Sequence, residues 1–191
     1  MIDADAVNLA LLGLRLILGA VMLAHGINHI IGGGKIAGTG RWFESLGMKP
    51  GPLHAWLASL TEVFGGAMLV LGLFTPLACA AVIGVMLVAL ITNHLKNGFF
   101  IFRPGEGYEY VLTLTIVALC LAALGAGEWS LDAVLNDLEG RTPGTEALVM
   151  SYQGVRLNGW TGLAIAAVAG GGGAALLLAL FWRPERKPDA A

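Results

Sequence analysis

Charge is scarce in this 191-residue chain: Asp, Glu, Lys and Arg together make up 13% of it, about half the share soluble domains carry. The little charge present is nearly balanced, at a formal −2, which says little about partners, and nucleic acid is not expected among them. Cysteine is almost absent. Cys79 and Cys120 both lie inside apolar runs, where they read as small buried hydrophobes and say nothing about redox compartment. There is no Walker loop, no Cys-x-x-Cys pair, no Cys-x-x-Cys-His haem attachment, no HEXXH and no GxSxG elbow. P-loop hydrolysis, dithiol exchange, c-type haem, zinc peptidase and serine hydrolase chemistry therefore have no basis here. No internal repeat is visible, which weakens a transporter reading.

What the chain has in abundance is grease. Hydrophobic residues make up 57% and the mean hydropathy is +0.76. Five apolar segments emerge, at about 7–31, 54–74, 77–95, 108–125 and 161–182, each with the length of a bilayer crossing or close to it. The expected fold is an all-α polytopic membrane protein: a four-helix transmembrane bundle plus a fifth, C-terminal transmembrane helix. The N-terminus lacks a basic region and its apolar run is too long for a cleavable signal, so the first segment is read as a retained helix.

The connections carry their own signals. Arg41 to Leu46 mixes basic, aromatic and acidic residues between glycine and proline breaks, as a short interfacial helix does. Thr75-Pro76 reads as the turn of a tight hairpin between segments two and three. Five aromatics beside Lys96 and Arg103 form an interfacial belt after segment three. In the polar stretch 126–160, Ser130 reads as a helix N-cap, with Asp132 in the first turn and Gly140 closing the helix. Gly170 to Gly173 interrupt the last segment, where lipid tolerates them and a neighbouring helix gains close approach. Five crossings place eight Lys and Arg residues on one side and two on the other, with Arg15 within the membrane. The positive-inside rule then puts the N-terminus outside and the C-terminus in the cytoplasm of a bacterial inner membrane.

Helix one carries the most informative pattern. Asn8, Arg15, Met22 and His29 are seven residues apart, so each steps only about 20° around the helix from the last. His25 lies one turn before His29. Such a stripe cannot face lipid cheaply and must face protein or trapped water. All four histidines (His25, His29, His54, His94) fall toward the cytoplasmic half, where Glu62 in segment two and Glu109 at the start of segment four also lie. Glu62 is the one acid in the middle of another span. An unpaired charge in lipid costs roughly 2.5–3.5 kcal/mol on insertion scales, so mutual burial of Arg15, His25, His29 and Glu62 in one pocket is the expected arrangement. His54 reads as a headgroup contact, and Glu109 as a first-turn acid favoured by the helix dipole.

The phrases LRLILGAVMLAHGINHIIGG, WFESLGM, TEVFGGAMLVLGLFTPLA, NGFF followed by YEY, and EWSLDAVL occur in that order. Over about Leu9 to Leu135 they resemble the DoxX family of small bacterial membrane proteins. The resemblance implies a four-helix bundle over residues 1–135, and it maps the family's arginine, histidine-glycine, glutamate and YEY positions to Arg15, His25-Gly26, Glu62 and Tyr108 to Tyr110. Residues 136–160 form a polar extracytoplasmic insert, and 161–191 the fifth helix with its basic cytoplasmic tail, which the usual four-helix pattern lacks. The family takes its name from the small subunit of a thiosulfate:quinone oxidoreductase, which implies a link to membrane redox chemistry.

Two functions follow as expectations. One is a redox-associated membrane subunit binding a quinone or other lipid-soluble molecule against Arg15, His25, His29, Glu62 and Glu109. Haem b is the weaker fit, since it would need His25 or His29 to share an axial pair with His94. The other is a non-catalytic anchor or accessory subunit that holds a larger membrane complex through the fifth helix and the 126–160 insert.

Overall fold

The computed structural model describes residues 3–137 and 158–184 of the chain. Helix α1 (Ala4–Ile31) starts at Asp3, whose carboxylate accepts the Asp5 N–H at 3.0 Å and satisfies one orphan donor of the first turn. A short helix, α2 (Lys35–Ser45), follows, over the stretch read as interfacial. Then come α3 (Gly51–Leu71), with Pro52 in its first turn, and α4 (Thr75–Ala89), which continues through a π turn at Leu90–His94 to Asn97. Helix α5 (Glu109–Leu124) is followed by α6 (Leu131–Asp137) and α7 (Gly159–Phe181), the last with a π turn at Ala167–Gly171. Among the described residues, α1, α3, the extended α4 and α7 are long and apolar enough to cross a membrane, and α5 is apolar but shorter at 16 residues.

The α3–α4 hairpin differs from its expected turn. Thr75-Pro76 does not make the bend; Pro76 sits in the first turn of α4, where a missing N–H is harmless. The reversal comes from Gly72, which ends α3 in the left-handed region at φ 63°, and from Phe74 at φ 46°.

Polar and charged side chains are set into the apolar interior, and large hydrophobic ones face outward. Asn8, Arg15, Glu62 and Asp132 are buried, while Leu9, Phe64, Val168 and Leu176 are each more than half exposed. That arrangement fits a lipid surround. Between helices lipid supplies no hydrophobic drive, so close packing and small residues must hold the bundle. Helix α1 meets α3 through glycines: a Cβ on Gly19 would stand 2.7 Å from the Gly66 carbonyl oxygen, and one on Gly66 2.8 Å from that of Gly19. Leu18, Met22, Leu69, Val82 and Leu121 fill the core around this contact. Cys79 lies in that core, but Cys120 is exposed on the outer side of α5, so only one of the two is the buried hydrophobe expected.

Helix α7 docks on its own bundle. A Cβ on Gly170 would stand 2.7 Å from the Ala80 carbonyl oxygen of α4. Its C-terminal end is sewn to the loop before α3: Arg183 donates its N–H to the Gly47 carbonyl at 2.8 Å, and Trp182 Nε1 donates to the Leu46 carbonyl at 3.0 Å. Asn8, by contrast, meets Glu128 after α5. Asp3 and Pro184 therefore lie at opposite ends of the bundle, as an odd number of passes requires.

Candidate functional site

The polar stripe of α1 is used along its whole length, but by two separate sites. At the N-terminal end of α1, Asn8 Nδ2 donates to Glu128 Oε2 at 2.9 Å and Asn8 Oδ1 accepts the Glu128 N–H at 3.0 Å. One repeat further on, the fully buried Arg15 donates from Nη2 to the Trp129 carbonyl at 2.5 Å. The Asp132 carboxylate acts on it electrostatically while accepting the N–H groups of Phe74 at 2.6 Å and Thr75 at 3.0 Å. Ser130 caps α6 as expected, its Oγ accepting the Ala133 N–H at 3.1 Å; Gly140 lies outside the described residues. A Cβ on Gly72 would collide with the Arg15 guanidinium. Glycine there serves both the left-handed turn and the space for the cation.

Arg15 is thus the centre of a latch that fastens α1, the α3–α4 turn and α6. It does not line a pocket with Glu62. The reason is reach: by helical rise the two start about 11 Å apart along the bundle, and Asp132 supplies a nearer carboxylate. Sequence pattern had marked Asp132 only as a first-turn acid, and only the fold brings it beneath α1.

The second site lies toward the other end. Met22 continues the stripe at 1% exposure, and His29 Nε2 stands 3.5 Å from Glu62 Oε2. That separation is close enough for an ion pair, but the alignment gives no hydrogen bond, and the buried Glu62 Oε2 is without a hydrogen-bond partner. Gly26 explains how the helices come so near: a Cβ there would sit 2.8 Å from the Ser59 carbonyl oxygen and 2.9 Å from Glu62 Cβ.

Beside this pair opens a cavity of about 620 Å³. Its walls are largely apolar, from α1, α3, α4 and α7, with Trp42 and Phe43 of α2 at one side. All four histidines line it, with Glu62, Glu106 and Tyr110. His25 faces the cavity and is otherwise exposed. His94 Nδ1 is 2.9 Å from the Glu106 carbonyl oxygen. Of the residues expected to form the pocket, His25, His29 and Glu62 are together, and Arg15 and Glu109 are elsewhere. Glu109 Oε2 accepts the Ile101 N–H at 3.2 Å and steadies the 98–107 loop. His54, read as a headgroup contact, is instead 3% exposed within the cavity wall. No signal at the sequence level separated it from an interfacial histidine. Among the described residues no group of three or more His, Cys, Asp or Glu side chains is placed to hold a metal ion.

The glycines of α7 divide in role. Gly170 is the contact with α4, so the helix whose approach it permits belongs to this chain. Gly173 lines the cavity and has open space where a Cβ would be, and Gly171 and Gly172 meet nothing within 4 Å.

The chain is 28% identical to the "Uncharacterized membrane protein Rv3486" of Mycobacterium tuberculosis (strain ATCC 25618 / H37Rv) over 131 residues, covering 64% of this chain and 79% of that protein. It is 29% identical to the "Putative oxidoreductase CatD" of Bacillus subtilis (strain 168) over 108 residues, 56% of this chain and 75% of that one. No solved structure matches it. The DoxX family model matches residues 10–95, the part of the chain that contains α1 to α4 with Arg15, the His25-Gly26 step and Glu62. This chain is a multi-pass all-α membrane protein that matches the DoxX family model over residues 10–95.

Proposed function

We propose that the cavity binds a lipid-soluble, quinone-type molecule whose polar head meets Glu62 and His29, and that the protein serves membrane redox chemistry through it. The observation that carries this reading is a buried carboxylate oxygen without a hydrogen bond at the edge of a largely apolar cavity. Buried polar atoms are nearly always satisfied, so an orphan on a residue of the cavity wall calls for a partner. The volume suits a small-molecule site, which runs from about 300 to 1,000 Å³. Glu62 and His29 can hold a proton between them and offer it to, or accept it from, an oxygen of the bound head. The walls of α4 and α7 exclude water and accept an apolar tail. The name of CatD as an oxidoreductase is in keeping with this class of chemistry.

The test is extraction. Protein purified from membranes in mild detergent is stripped with organic solvent and the extract analysed by mass spectrometry. Wild-type protein should carry quinone, and Glu62→Gln should carry about tenfold less or lower, the loss expected for one hydrogen bond to a charged group. Equal loading of the two would overturn the reading.

The second reading, a non-catalytic anchor for a larger membrane complex, draws on the outward face of α7, where Gly171 and Gly172 leave the backbone open. Replacing both with leucine should then strip partner subunits from the purified protein while quinone loading persists. Unchanged co-purification would remove that reading.

A further inference from the structure

The cavity has a second polar pole. His54 lies on α3 eight residues before Glu62, which places the two about 12 Å apart along the helix axis. Both line the same cavity. His54 is 3% exposed, yet neither Nδ1 nor Nε2 has a hydrogen-bond partner. This holds for either tautomer, because both nitrogens are orphans. The ring is held in place by Phe181 of α7, edge to face, with centroids 5.1 Å apart. A buried imidazole with both nitrogens unsatisfied is as anomalous as the orphan oxygen of Glu62, and both residues belong to the wall of the same cavity.

We propose that His54 and Glu62 are the two recognition poles of one ligand, which therefore carries hydrogen-bonding groups at opposite ends of its polar head. The inference rests on the quinone-type reading above and narrows it. A six-membered ring with oxygens on opposite carbons, extended by a hydrogen bond of about 2.8 Å at each end, has the length to reach both residues. A head with one polar end does not. His54 is a positioning group at the far oxygen, and Phe181 makes the fifth helix part of the ligand's seat. That gives α7 a role in the site, although it lies outside the stretch matched to the family.

The experiment compares three probes of one size by titration calorimetry in detergent: a short-chain benzohydroquinone with both ring hydroxyls free, its monomethyl ether and its dimethyl ether. Wild-type protein should prefer the dihydroxy probe to the monomethyl ether by about tenfold. His54→Phe keeps the ring against Phe181 and removes both nitrogens; it should bind the dihydroxy probe only as well as the monomethyl ether. His54→Met removes them without a ring and should do the same, so misfolding of one variant leaves the other. His54→Gln, which retains a donor and an acceptor, should retain the preference. A wild-type preference that survives in the folded His54→Phe or His54→Met protein would overturn the role of His54; if Glu62→Gln still weakened all three probes, the quinone-type reading would stand. Wild-type protein that bound none of the probes would sink both.

Discussion

His29 and Glu62 come within 3.5 Å of one another across the contact of α1 with α3, and that approach depends on glycine. Gly19 and Gly66 bring the backbones together, and Gly26 lets the first helix settle against Glu62 one turn before His29. The pair is exposed to the cavity on one side and enclosed by the core on the other. A purely structural ion pair would be fully hydrogen-bonded in so enclosed a place; this one keeps an orphan oxygen in the cavity wall.

Glu62→Gln should therefore separate function from folding. The amide has almost the same shape, and the carboxylate it replaces makes no hydrogen bond at Oε2. Stability should change by no more than about 1 kcal/mol, while any associated redox activity is lost. Chemical unfolding in detergent alongside turnover measures both. A large loss of stability with activity retained in the surviving protein would assign the pair to the fold.

The latch at the other end should behave in the opposite way. Asp132→Ala removes the acceptor of two backbone N–H groups and leaves the buried Arg15 uncompensated, a loss of roughly 3–5 kcal/mol. The same unfolding measurement should show it, and quinone loading per folded molecule should stay at the wild-type level. Stability within about 1 kcal/mol of wild type would remove the latch from the account.

Gly66→Val inserts a branched side chain where a Cβ already stands 2.8 Å from the Gly19 carbonyl oxygen. Overpacking of this kind costs about 1–3 kcal/mol. It should also push α1 from α3 and lower ligand binding, through the widened His29–Glu62 gap. Thermal unfolding and probe titration of one preparation check the two effects together. Unchanged values for both would contradict the close contact.

Two neighbouring glycines of α7 should differ sharply. Leucine at Gly170 collides with Ala80 and Ile83 and should loosen the helix. Leucine at Gly173 meets open space and should fold normally while filling the cavity. Probe binding lost in a Gly173→Leu protein of wild-type stability is the expected outcome; full binding would place the ligand elsewhere.

Much of this was legible in the chain. The lengths of the apolar runs mark the spans to within a few residues, because bilayer thickness leaves little freedom. The seven-residue repeat of Asn8, Arg15, Met22 and His29 correctly marks the inward face of α1. What periodicity cannot supply is the partner across the gap. Asn8 and Arg15 find theirs in the segment after α5, more than a hundred residues away, and rise along one helix says nothing of that return. The same blindness hid His54, since an imidazole four residues into a helix looks alike at an interface and in a cavity wall. For the glycine run, composition shows that a close approach exists, but only packing shows that Gly170 uses it within the chain while Gly173 leaves room for a ligand.

Orientation follows from the excess of Lys and Arg at the His54 end: the N-terminus should be outside and the C-terminus cytoplasmic. Single cysteines at positions 4 and 184, in a Cys79→Ala, Cys120→Ala background, should be labelled from opposite sides of intact cells and inverted vesicles. Labelling of both from one side would contradict the five-pass bundle.

The most direct test of the central claim is a titration of purified protein with a short-chain benzohydroquinone, whose hydroxyl can donate to the Glu62 carboxylate, read by calorimetry. The cavity account predicts saturable binding at one site, weakened about tenfold or more in Glu62→Gln and abolished in Gly173→Leu, with both variants folded. Equal binding by wild type and both variants would contradict it.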